Sequence, residues 1–143
     1  MLGAEFRDRA PLRTIYLGGG TPSLLSPGAL AAIIGAAHDH FDTAGVVEVT
    51  VEANPEDLAG LDGRDWLRAA RQLGVTRLSL GVQSFFDEDL AFLGRAHDAD
   101  QAMRGAEAAI SEIGEVSIDL IFGIPNQPFE HWGANLQRAV RLG

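Results

Sequence analysis

Leu17-Gly18-Gly19-Gly20-Thr21-Pro22 is the segment that most restricts how the surrounding chain can fold. A short apolar run, Thr14 to Leu17, stops there at three consecutive glycines. Glycine lacks a Cβ and enters backbone conformations closed to other residues, so three in succession cost more ordering entropy than a simple turn demands. The pattern predicts a buried strand emptying into a turn of bare backbone. Either a ligand approaches that backbone or the chain makes a tight strand-to-helix corner there.

The same rhythm of strand, turn and helix continues downstream. Ser26-Pro27 starts a helix, because Ser caps free amides and Pro suits the first helical position, and Leu30, Ile33, Ile34, Ala37 and Phe41 fall on one face. Val46 to Glu52 alternates as a second strand and ends at Asn54-Pro55. A second helix from Asp62 to Leu73 aligns Trp66, Ala70 and Leu73 and stops at Gly74, a left-handed cap. Val75 to Gln83 is a third strand. A short helix begun by Asp87 ends near Gly94, and a longer one capped by Asp98 runs to Ile113. Val116 to Phe122 is a fourth strand, and Pro128 opens a last helix with Trp132, Leu136 and Val140 aligned. The strands begin roughly 30 to 40 residues apart with a helix in each crossover, which predicts parallel pairing and right-handed connections. The fold class is therefore α/β, either an open sheet or a stretch of (β/α) barrel. Residues 1–13 show no period and form a lead-in to the unit at 14–143.

Side chains alternate across a strand, so each strand divides by parity. Ile15 and Leu17, Val47, Val49 and Val51, Leu78, Leu80 and Val82, and Val116, Ile118, Leu120 and Phe122 form the helix-packing face. The other parity carries Tyr16 and Gly18, Glu48, Thr50 and Glu52, Arg77, Ser79, Gly81 and Gln83, and Ser117 and Asp119. A doubly wound sheet buries both faces and reads as near-continuous apolar runs, whereas this second face is polar. An incompletely closed barrel holding a polar ligand accounts for it, as does an amphipathic sheet with one solvated face. Ligands in parallel α/β folds sit beyond the carboxyl ends of the strands, where Gly18 to Thr21, Glu52, Gln83 and Asp119 fall. Asp119 stands among apolar neighbours in sequence and calls for a hydrogen-bonding partner.

Composition removes several classes of function. Eleven basic and twenty acidic residues leave a net charge of −9, and without a basic cluster a nucleic-acid partner is not expected. No apolar run is long enough for a transmembrane segment and the first residues hold no apolar signal core, so the cytoplasm is the default location. The chain has no cysteine, which excludes disulfides, thiolate metal ligands and a cysteine nucleophile within it. The four histidines, His38, His40, His97 and His131, are spread over different helices and loops and read as solvated rather than ligating.

Five blocks resemble, in order, those of one known family: Leu17 to Leu25, Val51-Glu52-Ala53-Asn54-Pro55, Arg77 to Phe85, Leu93-Gly94-Arg95-Ala96-His97, and Ile118 to Pro125. They are similar to the HemN/HemW group of radical S-adenosylmethionine (SAM) proteins, which comprises oxygen-independent coproporphyrinogen III oxidases and heme chaperones. The resemblance implies a (β/α)6 partial TIM barrel, of which this chain supplies the second to fifth strands as one incomplete domain. It also implies SAM contacts at Gly19, Gly20, Thr21, Glu52, Gln83, Arg95 and Asp119. Arg95 comes from the resemblance alone, and the others already lie at the strand ends. Glycine backbone and a carboxylate suit the SAM ammonium, Arg95 suits its carboxylate, and acidic or amide side chains suit the ribose hydroxyls. Gln83-Ser84-Phe85 and Leu93 to His97 look more like the heme-chaperone branch than the oxidases.

One departure limits the activity implied. The family ligates a 4Fe-4S cluster through a Cys-x3-Cys-x2-Cys motif upstream of the glycine-rich turn, and this chain has no cysteine. The expectation is an internal piece of a longer protein, the alternative being a cluster-less homologue that binds or scaffolds without catalysis. By itself the chain is expected to be inactive, with no catalytic or metal-ligating residue assigned. In the complete protein SAM and the cluster would be the cofactors, and heme or a porphyrin a partner.

Overall fold

A computed structural model describes residues 11–143. Strands β1 (Thr14–Leu17), β2 (Glu48–Ala53), β3 (Arg77–Gln83) and β4 (Glu115–Leu120) lie side by side in chain order, and every pairing is parallel. Each crossover carries helix: α1 (Pro27–His40) after β1, then α2 (Pro55–Leu58) and α3 (Leu61–Gln72), then α4 (Asp87–Phe92) and α5 (Ala99–Glu112). Helix α6 (Phe129–Leu142) follows β4. A sheet whose spatial order equals its sequence order matches a segment of barrel wall. Residues 1–10 of the lead-in lie outside the described residues. Leu12 donates its amide to the Asp42 carbonyl at 2.8 Å, and the Arg13 carbonyl accepts from the Val47 amide at 2.9 Å.

The helix boundaries follow the sequence signals. Ser26 Oγ accepts from the Ala29 amide at 3.2 Å, with Pro27 opening the first turn of α1. Asp98 and Gln101 form a reciprocal capping box on α5, with bonds of 2.7 and 3.1 Å. Gly74 has φ +91° just after α3. The single turn α2 and a 3-10 turn at Pro22–Leu24 are additions that hydrophobic periodicity is too short to reveal.

The core lies between the sheet and its helices. Val51, Leu78, Leu80 and Val82 are fully buried against Leu30 of α1, Leu67 and Ala70 of α3, and Ala102, Ala106 and Ala109 of α5. Burial of each such large apolar side chain contributes about 1.5–3 kcal/mol. The alanine-rich face of α5 does more than favour helix: a Cβ at Gly105 would stand 2.8 Å from the Pro55 carbonyl oxygen, so α2 rests directly on the α5 backbone. Two residues assigned to the helix-packing face are exposed, Val47 at 67% and Phe122 at 69%. Val47 precedes β2 and Phe122 follows β4, so neither is held to the strand alternation. On α6, Leu136 and Val140 are exposed and the buried residue is Asn135.

The β3–β4 pairing contains an irregularity. Leu80 pairs with Ile118 but Gln83 pairs with Leu120, so three steps along β3 match two along β4. Gln83 takes φ +66° at this bulge, in the left-handed region that is uncommon for a residue with a side chain.

Candidate functional site

The turn after β1 is locked to the end of β2 through Glu52. Gly19 donates its amide to Glu52 Oε2 at 2.9 Å, and Tyr16 donates its hydroxyl to Glu52 Oε1 at 2.7 Å. These two bonds, the Gly19 amide first, hold the Glu52 carboxyl below its ordinary value. The same contact pushes the Tyr16 hydroxyl up, because the phenolate would face a carboxylate. Gly18 makes room for the pair: a Cβ there would stand 2.6 Å from Tyr16 Cε1 and 2.7 Å from Glu52 Oε1. Gly19 and Gly20 both have positive φ, +87° and +62°, which explains the glycine run by geometry.

Beyond the carboxyl ends of the strands lies a cleft of about 240 Å³. Gly20, Thr21, Glu52, Gln83, Arg95 and Asp119 all line it. Gly19 does not; it faces a neighbouring groove with Tyr16, Thr21 and Ile33, and reaches the cleft only through its bond to Glu52. Asn54, Ser79 and Gly81 also line the cleft and were not among the residues singled out. Parity had placed Ser79 and Gly81 on the right face, and Asn54 stood in a matching block, so each carried a signal.

Arg95 organises one side. Its Nη2 donates to Asn54 Oδ1 at 2.8 Å and lies 3.5 Å from the Gly81 carbonyl. Its Nε is buried without a hydrogen-bond partner among the described residues. A Cβ on Gly81 would fall 3.0 Å from Gln83 Nε2, 3.3 Å from Asn54 Oδ1 and 3.6 Å from Arg95 Nη2, in the space these three side chains share. Asp119 Oδ2, also in the cleft lining, accepts from Ser79 Oγ at 3.0 Å. Asp119 is exposed, not enclosed by its apolar sequence neighbours, because Ile118 and Leu120 point to the other face of β4 and Ile121 and Phe122 lie beyond its end. Two carboxylates and a guanidinium thus face one volume, an arrangement that suits a ligand bearing both a cation and a carboxylate.

His38 and His40 are exposed, as expected, whereas His97 and His131 are not. His97 is buried, with Nδ1 2.8 Å from Glu56 Oε2 and Nε2 3.0 Å from the Val82 carbonyl oxygen. His131 is half-buried, stacked on Phe86 at 3.7 Å and 3.3 Å from Asp89 Oδ1. His97 is held between the end of β3 and the start of α2, and His131, on α6, lies against the segment that follows β3. Among the described residues no group of three or more His, Asp or Glu side chains could hold a metal ion.

The family model of the radical SAM superfamily matches residues 2–139. The chain belongs to the radical SAM superfamily. It is 42% identical over 130 residues to mouse mitochondrial radical S-adenosyl methionine domain-containing protein 1, covering 90% of this chain and 28% of that protein. Heme chaperone HemW of Mycobacterium tuberculosis is 38% identical over 143 residues, covering 99% of this chain and 36% of the relative. HemW of Escherichia coli is 39% identical over 133 residues, covering 92% and 34%. The chain therefore spans about a third of the length of these radical SAM relatives. Among solved structures, coproporphyrinogen III oxidase HemN of Escherichia coli, a radical SAM enzyme, superposes with a TM-score of 0.77 at 27% identity. That superposition covers 92% of this chain and 30% of HemN. Elp3 of Methanocaldococcus infernus shares the fold, with a TM-score of 0.67 at 19% identity over 87% of this chain and 32% of Elp3. The four parallel β/α units are thus part of the radical SAM partial barrel, and the resemblance to the HemN/HemW group holds. The family implies SAM and a 4Fe-4S cluster. The cleft suits the first, through the unpartnered Arg95 Nε and the Gly81 cradle. Nothing here suits the second, since the chain has no cysteine.

Proposed function

We propose that these residues form the SAM-binding portion of a HemW-like protein acting in heme or porphyrin metabolism. The observation that carries this is the cleft itself, where Arg95, with a buried unpartnered donor, faces the carboxylates of Glu52 and Asp119 across bare glycine backbone. Arg95 would take the SAM carboxylate, and Gly20, Thr21 and one carboxylate its ammonium. The other carboxylate and Gln83 would accept the ribose hydroxyls. Gly19 would act from behind, by holding Glu52 in place. Bound SAM supplies an adenosyl group on a sulfonium, ready for cleavage by an electron donor. Thiolate ligands for a cluster would have to come from outside these residues.

A second reading is a homologue that binds SAM or a partner without redox chemistry. The iron content of the full-length protein separates the two. The proposed location is the cytoplasm, although the mouse relative's name places that protein in the mitochondrion; cell fractionation decides between them. The described residues contain no helix long and apolar enough to cross a membrane.

SAM binding is tested by equilibrium dialysis of labelled SAM against the full-length protein. Removing Glu52 or Asp119 by alanine substitution deletes a charged hydrogen bond of roughly 1.5–3 kcal/mol. The expected result is about tenfold weaker binding or more in each. Unchanged binding in both variants would overturn the assignment.

A further inference from the structure

We infer that His97 is a positioning residue for the cleft, an inference that rests on the SAM reading above. Its side chain is fully buried and does not line the cleft. A backbone carbonyl can only accept, so the Nε2 facing Val82 at 3.0 Å carries a hydrogen. Nδ1 stands 2.8 Å from a Glu56 carboxylate oxygen, within hydrogen-bond distance. Both ring nitrogens are thereby committed, and the ring has one orientation.

The three segments joined by this ring each carry a residue of the cleft. Glu56 lies two residues after Asn54, Val82 immediately precedes Gln83, and His97 lies two residues after Arg95. Arg95 in turn donates to Asn54 Oδ1 at 2.8 Å, closing the circuit on the cleft side. An arginine side chain has many rotamers, and it presents a fixed fork only where its loop and its amide partner are held in register. His97 supplies that register from beneath. The Arg95 amide itself bonds within the turn, to the Leu90 carbonyl.

The test uses the full-length protein with its cofactors reconstituted, and reads the SAM dissociation constant by equilibrium dialysis beside thermal melting. The variants are His97→Gln, Glu56→Gln, Arg95→Ala and the double variant His97→Gln/Arg95→Ala. His97→Gln and Glu56→Gln are each expected to weaken SAM binding roughly tenfold, as loss of a supporting charged bond does. Added to Arg95→Ala, the His97 change should cost nothing further, because its effect passes through Arg95. If His97→Gln does not fold, Glu56→Gln at a partly exposed carboxylate carries the same test. Loss of affinity in Arg95→Ala with wild-type affinity in the other single variants overturns the positioning role and leaves the SAM reading standing. Losses that simply add in the double variant, with a lowered melting temperature, also overturn it. Wild-type affinity in Arg95→Ala overturns both.

Discussion

The Gly19 amide lies 2.9 Å from Glu52 Oε2, which ties the turn after β1 to the carboxyl end of β2. That bond and the Tyr16 hydroxyl stabilise the ionised carboxylate, so the contact depends on pH. With its folded pKa below the ordinary 4.5, Glu52 contributes stability that is present above that value and lost as pH falls through the folded pKa. Tyr16 works at the other end: its folded pKa lies above 10.0, so its contribution is present below pH 10.0 and lost as pH rises beyond it. In chemical denaturation, Glu52→Gln should be less stable than wild type at neutral pH. The gap should close under acid conditions below about pH 4. An unchanging gap would contradict the role of ionisation.

Two glycines that both forbid a Cβ should respond differently to alanine. At Gly18 the clashing atoms are the ends of the Tyr16 and Glu52 side chains, which can swing away. Gly18→Ala should therefore leave stability within about 1 kcal/mol of wild type while weakening SAM binding, because Glu52 is displaced. At Gly105 the clash is with the Pro55 backbone at 2.8 and 2.9 Å, and α5 must move off α2. Overpacking of about 1–3 kcal/mol, less the helix propensity gained from alanine, predicts a net loss of stability for Gly105→Ala. Denaturant midpoints and SAM titrations on both variants check the contrast.

Gln83 combines a side chain facing the cleft with φ +66°. Gln83→Ala and Gln83→Gly both remove the amide, but only glycine accepts that backbone freely. The glycine variant should be more stable than the alanine variant by about 1 kcal/mol, while the two bind SAM equally weakly. Equal stabilities would mean that the bulge relaxes once the side chain is gone.

Asn135 anchors α6 by a polar contact. Its Oδ1 accepts from the Phe85 amide at 2.8 Å and its Nδ2 donates to Ser84 Oγ at 3.0 Å, both in buried surroundings. Ser84 also donates to Asp89 at 2.6 Å. Burial pushes the Asp89 carboxyl up, and bonds from Ser84, Gln127 and His131 more than offset it, so the net direction is downward. Asn135→Leu adds an apolar group to a buried position and should still destabilise by about 1–3 kcal/mol, because the Phe85 amide loses its partner. A neutral or stabilising result in thermal melting would show that the helix is held by other contacts.

Short-range pattern was enough to determine the elements and the face that bears the cleft. Period-2 alternation separates Glu52, Ser79 and Asp119 from the residues that pack on the helices, and Ser26, Asp98 and Gly74 mark helix ends through purely local bonds. The carboxyl-end location of the cleft follows from parallel strands and their crossovers. What alternation could not reveal is the bulge that turns Gln83 to positive φ, since an extra residue in one strand is defined only against its neighbour. The burial of His97 and Asn135 belongs to the same class. Both are polar residues that sequence assigns to solvent or passes over, and both are buried because loops distant in sequence bring them a carbonyl, a carboxylate or an amide. Hydrophobic order is written in spacing along one chain, whereas a buried hydrogen bond needs two groups whose meeting is settled only when the sheet, α5 and α6 have packed.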